Sequence, residues 1–312
     1  MIQVMWRPLS LGDIPTIQRL CTNNSYRLSD YSLPSLLAWS LPQSQTFFRI
    51  ISDIPLFLSK RAEEDFLFLP FCHKNITASL LSSIAIDSGV YRFCTVPEEV
   101  IGEDFEQFFT ISEDKKNANY IYRAEDLSLL RGNKFIAKRN HINGFIKTYA
   151  HQGIETAPIS AATAAECLLC LEEWRQEKIS NGYAEDILLA EECLAVQNAL
   201  QTIDSLNWHS ILVRVKEKVC GFAIGSRITD DTFALNFEKA LLHYRGLYQF
   251  LDREFARSLA STYEYINKEG DMGIAGLKNS KESYHPVAIL PSYSLFLREK
   301  WKKVQHNPSP LW

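Results

Sequence analysis

Apolar residues recur along this chain with two periods, and the changeovers between them mark out its elements. Alternation or short apolar runs predict strands over residues 2–8, 46–51, 55–60, 66–71 and 91–95. Helical spacing fits residues 13–21, 33–40, 75–88 and 97–109, the last opened by Pro97 with acids in its first turn. Residues 119–123 read as a strand end, followed by a turn of helix through Leu130. The longest helical period covers residues 129–149, LLRGNKFIAKRNHINGFIKTY. At about 100° per residue, Phe135, Ile142, Phe145, Ile146 and Tyr149 share one apolar arc. Lys138 and Arg139 fall at its edges. Lys134, Lys138 and His141, at i, i+4 and i+7, form a basic ridge that contains no acid. Such a ridge is either a solvated face or a cationic rim for an anion, with Arg139 held against the core by a buried partner.

Beyond a linker expected at residues 151–158, helices are predicted over 160–178 and 185–201. Three strands follow at 210–215, 219–228 and 232–240, with Glu217-Lys218 and Thr229-Asp230-Asp231 as turns. A helix over 247–259, a strand over 263–267 and a last strand within 287–297 complete the pattern. Both halves place helices ahead of paired strands, and 312 residues are more than a single core usually fills. The expected fold class is therefore α+β, in two related domains. The first spans residues 1–150 and includes the basic helix; the second spans 151–312.

A net charge of −4 argues against a general nucleic-acid coat but leaves room for a local basic site. No apolar run is long enough to cross a bilayer, and the first residues lack a signal peptide's pattern, so the expected location is cytoplasmic, with peripheral membrane contact left open. Seven scattered cysteines read as reduced core residues. Cys167 and Cys170 form a lone CxxC inside a helical pattern, a weak metal or redox signal without a second pair. No zinc spacing, P-loop or Ser–His–Asp order is present, and no metal is expected.

Four segments, YIYRAEDLSLLRG (120–132), KRNHING (138–144), FEKALLHYRGLYQFLDREFA (237–256) and YINKEGDMGIAGLKNSKESYHPV (265–287), resemble the phosphatidylglycerol lysyltransferase C-terminal-domain family. Its soluble members have no assigned function. The likeness runs from about residue 66 onward, and the last segment and KRNHIN are its most specific parts. It implies two GNAT-like acyl-CoA N-acyltransferase domains in tandem with a helical crossover, as in the Fem peptidoglycan aminoacyltransferases. Two positions depart from the family pattern: Asn119 stands where an acid is expected, and Lys268 where Arg is expected. The membrane-spanning domain of the lipid-modifying members has no counterpart in these 312 residues.

By the same resemblance, strands 232–240 and 263–267 would be the splayed pair that grips an acyl donor. Alternation puts Glu238 on a face with Ala234 and Asn236, and Asn267, Glu269 and Asp271 follow the end of the second strand. Gathered carboxylates would favour a cation such as an α-ammonium; the plainer reading is turn chemistry around Gly270 and Gly273. Coenzyme A pyrophosphate needs glycines at a helix N-terminus. Here Arg245-Gly246-Leu247-Tyr248-Gln249-Phe250 keeps one glycine and two bulky aromatics, so no cofactor is expected. Lys278, Lys281 and Ser283 join Arg245, Asn267 and the three acids as candidate substrate-binding residues. Lys134, Lys138 and Arg139 are candidates for phosphate, and His141 and Tyr284 for catalysis. The implied reaction is aminoacyl transfer, with aminoacyl-tRNA as a candidate donor and a small molecule or lipid head group as acceptor. The alternatives are a coenzyme A-dependent N-acetyltransferase and a non-catalytic binder of tRNA or anionic lipid.

Overall fold

A computed structural model describes residues 5–21, 25–71 and 76–302. The chain begins with β1 (Arg7–Pro8), α1 (Ile14–Leu20), α2 (Leu33–Ala38), β2 (Ser44–Ile51), β3 (Ile54–Arg61), β4 (Phe66–Leu67), α3 (Ala78–Ser88), β5 (Arg92–Pro97), α4 (Phe105–Phe108) and β6 (Phe109–Glu113). It continues with β7 (Asn119–Arg123), α5 (Ala124–Leu129), α6 (Ile136–Tyr149), β8 (Ile154–Ala157), α7 (Ala161–Ser180), α8 (Ile187–Gln201), β9 (Trp208–Val215), β10 (Lys218–Arg227) and β11 (Thr232–Ala240). The last elements are α9 (Leu247–Leu259), β12 (Tyr265–Asn267), α10 (Ala275–Glu282), β13 (Ala288–Leu290), β14 (Ser292–Leu297) and α11 (Glu299–Lys302).

Local chemistry accounts for most of these boundaries. Ser52 and Asp53 both take positive φ, which gives the β2–β3 hairpin a two-residue turn matched to strand twist. Lys216 and Glu217 do the same between β9 and β10, one residue earlier than the expected Glu217-Lys218 turn. Thr77 caps α3 by accepting from Leu80 N at 3.1 Å, and Gly89 closes it in the left-handed region. The helix expected over 97–109 shrinks to Phe105–Phe108, because the backbone turns at Glu98–Val100 and Phe109 already belongs to β6. The expected linker at 151–158 contains β8, an edge strand paired with β9. The expected strand over 2–8 is described only from residue 5 and is formed at Arg7–Pro8.

The strands form two seven-stranded sheets, ordered β1-β2-β3-β4-β5-β14-β6 and β13-β7-β12-β11-β10-β9-β8. Each covers its own apolar core. Phe48, Phe57, Phe93 and Phe109 lie in the first, and Phe222, Phe255 and Leu251 in the second. The two sheets do not divide at residue 150. β7 pairs with β12 and β13, and β14 returns to lie between β5 and β6. The single strand expected within 287–297 is two strands of different sheets, separated at Pro291, which has no N–H to donate. The basic helix also changes side: Phe135, Ile142 and Phe145 are fully buried in the second core.

Residues 26–41 bridge the halves above the second sheet. Arg27 pairs with Asp231, Ser32 Oγ meets Ser226 Oγ at 2.5 Å, and Asn198 Nδ2 donates to Ala38 O at 2.9 Å.

Candidate functional site

β11 and β12 run side by side for only three residue pairs, from Thr232↔Tyr265 to Ala234↔Asn267. β11 then continues along β10 to Ala240 while the chain leaves β12. Side chains bridge the widening gap. Asn236 Nδ2 donates to Glu269 Oε1 at 3.0 Å, and Ser226 Oγ donates to Asn236 Oδ1 at 2.6 Å. Lys268 Nζ lies 3.7 Å from Glu238 Oε2 and pairs more closely with Asp252 of α9. From α10, Lys281 donates its ammonium to the carbonyls of Lys268 and Glu269, the latter at 3.3 Å. The expected acidic crevice is thus an interleaved cluster of carboxylates and lysines. Glu238 Oε1 and Tyr284 Oη are left over in it: among the described residues these buried atoms have no hydrogen-bond partner.

Burial dominates the electrostatics. It pushes the Glu238 carboxyl up to about 8, and Asp252 adds to the push while Lys268 and Lys239 pull back. It lifts Glu269 to about 7 against the Asn236 hydrogen bond and Lys281. It brings the Lys281 ammonium down to about 8, helped by Lys268 and opposed by Glu269 and Glu238. At Lys268 burial acts the same way, but Asp252 and Glu238 outweigh it and hold the ammonium above its ordinary range. The site therefore holds groups whose charge changes near neutral pH.

Tyr284 forms one wall. Its ring carries Lys138 Nζ at 3.8 Å and Lys268 Nζ at 4.8 Å from the centroid. Lys138 also donates to Ser283 Oγ at 2.7 Å, so this ridge residue is buried and turned toward the cluster. Burial, then Asp252 and Glu238, hold the Tyr284 phenol well above its ordinary range.

Several other expected site residues face elsewhere. Asp271 Oδ2 accepts from Tyr120 Oη at 2.6 Å and its Oδ1 from Gly273 N at 2.8 Å. Burial opposes its charge, yet these bonds hold its carboxyl below the usual range. It ties the loop to β7, as in the plainer turn reading. Asn267 donates to Arg27 O at 2.8 Å and to Asn119 Oδ1 at 2.7 Å, and accepts from Glu269 N at 2.7 Å. It is a fully paired strand-end lock. Asn119 also donates to Asn117 O at 2.9 Å, a bond that the acid expected there could not make. Lys134 meets Asp126 at 3.2 Å, so an acid from α5 completes the ridge that has none of its own. Arg139 donates to the carbonyls of Leu130 and Gly132; its partners are backbone oxygens at the end of α5, neither a carboxylate nor an open anion site. Lys278 is exposed and lies 3.8 Å from Glu282.

His141 and Arg245 come together at the start of α9, away from the charged cluster. With His243, Asn140 and Tyr149 they line an open cleft of about 310 Å³. Gly246 is the cap of α9 at φ 87°, and a Cβ there would stand 2.2 Å from His141 O. Trp174 Nε1 donates to Tyr248 Oη at 2.8 Å, and the Phe250 ring packs 5.1 Å from that of Phe145. The remaining glycine thus serves the close approach of α6, and the aromatics fill the space beside it.

Sequence reasoning missed Asp252, the joining role of Lys268, and Asn236. Asp252 had a signal: it is an acid on the arc of Leu251, Phe255 and Ala256, all buried. Cys167 and Cys170 are buried in α7 near Cys220, and burial pushes the Cys167 thiol up to about 12.

Residues 29–296 match the family model described as phosphatidylglycerol lysyltransferase, C-terminal. A conserved protein of unknown function from Bacteroides thetaiotaomicron VPI-5482 is 30% identical and superposes with a TM-score of 0.84 over 95% of this chain and 100% of that chain. L-PGS from Bacillus licheniformis shares the fold at 11% identity, with a TM-score of 0.66 over 94% of this chain and 93% of its own. FemX does so at 9% identity, with a TM-score of 0.55 over 95% of this chain and 98% of its own. The architecture is two tandem GNAT-like folds. An uncharacterized protein from Mycoplasmoides gallisepticum is 26% identical over 180 residues, so the match spans 56% of that relative's length.

Proposed function

The chain belongs to the phosphatidylglycerol lysyltransferase C-terminal family, and on that premise we propose that it transfers an aminoacyl group from an activated ester, of the aminoacyl-tRNA class, to a hydroxyl or amine acceptor such as a phospholipid head group. The observation that carries this reading is the unpaired Glu238 Oε1 where β11 and β12 part. A buried carboxyl that holds its proton up to about 8 releases it when a cation arrives, so the free oxygen suits the α-ammonium of an aminoacyl group. Lys268, itself paired with Asp252, holds Glu238 from one side, and Tyr284 closes the wall. In the transfer the acceptor atom bonds to the aminoacyl carbonyl carbon, the ester C–O bond breaks, and the acceptor's proton passes to the leaving oxygen. Positioning in a water-poor cluster supplies most of the acceleration. Arg245 and His141, at the separate cleft, are the phosphate-facing residues in this reading.

The packing around Gly246, Tyr248 and Phe250 favours this donor over acetyl-coenzyme A, whose pyrophosphate needs open backbone at a helix start. The test is transfer of labelled amino acids from a charged tRNA mixture to phosphatidylglycerol vesicles and to soluble glycerol phosphate, beside thiol release from acetyl-coenzyme A. A labelled acceptor is expected, with kcat/KM reduced about 100-fold in Glu238→Gln at a melting temperature no lower than the parent's. Thiol release at micromolar acetyl-coenzyme A, without any aminoacyl product, would overturn the reading.

A further inference from the structure

The bridging segment at residues 26–41 reaches the charged cluster through three buried polar side chains. Ser32, Ser226 and Asn236 follow one another from that segment across β10 to β11, and none is more than 7% exposed. Chemistry fixes their directions. Asn236 Oδ1 can only accept, so the one proton of Ser226 goes to it, at 2.6 Å. Ser32 must then donate to Ser226, while its own oxygen accepts from Ser35 N at the start of α2. Asn236 turns its amide N–H to Glu269 Oε1 at 3.0 Å. The donors thus run one way, from the segment to the carboxylate. Beside Ser32, Tyr31 Oη donates to Thr95 O of β5 at 3.0 Å, which sets the segment against the first sheet.

Both ends of the last bond are held by local geometry. Ile224 pairs with Phe237 and Gly225 with Leu235, which leaves Asn236 as the extra residue of a bulge in β11, a feature that re-aims a side chain. Glu269 takes φ 60°, a left-handed backbone that a non-glycine residue keeps only where its surroundings hold it. Here Glu269 N donates to Asn267 Oδ1 at 2.7 Å, and Glu269 O accepts from Tyr120 N at 3.2 Å. Oε1 is taken by Asn236, and no other side-chain hydrogen bond or ion pair reaches this carboxylate among the described residues, so Oε2 is its open atom. Apolar residues of the same shape would join the halves about as well as this buried polar chain does. Its end at Glu269 gives the polarity a reason.

We infer that Ser32 and Ser226 are positioning residues: they lock the Asn236 amide with its N–H toward Glu269, so that a segment packed on the first sheet holds this carboxylate in one orientation, with Oε2 presented to the cationic group of the substrate. This positioning rests on the proposed function only for the identity of that group. Without a donor at Oδ1 the amide can turn over and offer its oxygen to a protonated Glu269. The bond from Asn236 opposes the burial that lifts Glu269 to about 7, so losing it raises the carboxyl further. Lys281 of α10 and Lys239 of β11 also face Glu269 and lower it, while Asp30 of the segment raises it. A segment that merely loosened would withdraw Asp30 and admit water, and both changes lower the carboxyl. The sign of the shift therefore separates positioning from simple adhesion between the halves.

The test is a carboxyl 13C NMR titration of the full chain labelled in glutamate, with the Glu269 signal assigned by its loss in Glu269→Gln. Ser226→Ala should raise the Glu269 titration by about one pH unit. Asn236→Leu, which removes the donor itself, should raise it at least as far. Ser32→Ala, one step further from the carboxylate, should raise it by less, and Asp30→Asn should lower it. An unmoved or lowered titration in either serine variant would overturn the inference, because the polar chain would then only join the halves. So would an unmoved titration in Asn236→Leu, since Glu269 would not feel the amide at its end. Should Ser226→Ala fail to fold, Ser32→Ala decides by the same sign. The titration needs no turnover. Absence of aminoacyl transfer would therefore remove the proposed function and leave the positioning in place, whereas transfer with an unmoved titration in the serine variants would remove the positioning alone.

Discussion

Glu238 and Lys281 are each held near a pKa of about 8 by burial, and their effects on stability have opposite signs. Glu238 keeps its proton in the native state up to about 8, while the unfolded chain loses it near 4.5, so stability falls as pH rises through that window. Glu269 adds to the fall up to about 7. Lys281 sheds its proton near 8 in the native state but near 10.5 when unfolded, so stability recovers above 8. A minimum near pH 8 is expected in urea midpoints measured from about pH 5 to 10. Glu238→Gln should make the acid-side slope shallower and Lys281→Met should remove the alkaline recovery; a flat wild-type profile would contradict both assignments. Asp271 acts in the opposite sense to Glu238. Its depressed carboxyl contributes stability above the unfolded pKa, and that contribution is lost as pH falls through the lower native value. Asp271→Asn should therefore cost about 1 kcal/mol at neutral pH and leave ligand response unchanged. A melting temperature equal to or above the parent's would restore Asp271 as a group held for binding.

At the scale of elements, α6 and the start of α9 approach each other closely. Gly246 combines a left-handed backbone with a Cβ position 2.2 Å from His141 O. Gly246→Ala should therefore destabilise by about 2–4 kcal/mol, through backbone strain and overpacking together. A midpoint shift below about 1 kcal/mol would mean that α6 moves away easily, and that the closed helix start is no argument against coenzyme A. Arg139 closes α5 by bonding two carbonyls beyond its end, and Leu130 there takes a left-handed backbone. Arg139→Ala should cost about 1–2 kcal/mol, whereas Lys134→Ala, which removes an exposed pair with Asp126, should cost less than about 0.5 kcal/mol. Equal losses would show that the ridge acts as one charged unit.

At the scale of the whole molecule, neither half holds a complete sheet of its own. β14 fills the position between β5 and β6, and β7 depends on β12 and β13. Polypeptides cut at residue 150 should each lack cooperative unfolding; a native-like melt from either piece alone would show that the crossing strands are dispensable. The sequence by itself determined the elements with strong periods. It also determined the mixed fold, the filled glycine turn and the placing of Glu238 beside Asn236, because helix arcs, strand alternation and glycine geometry act over a few residues. Tertiary structure alone decided the rest. Asn119 meets Asn267 across 148 positions and Tyr120 meets Asp271 across 151, so no local pattern could turn Asp271 from a binding acid into a loop tie. Lys268, Asp252 and Glu238 come from a loop, a helix and a strand, and only their joint burial sets which of them carry charge. Exchange of β7 and β14 between the sheets has the same origin, since strand pairing is chosen by which edges meet in space and leaves no trace in the alternation of a five- or six-residue run.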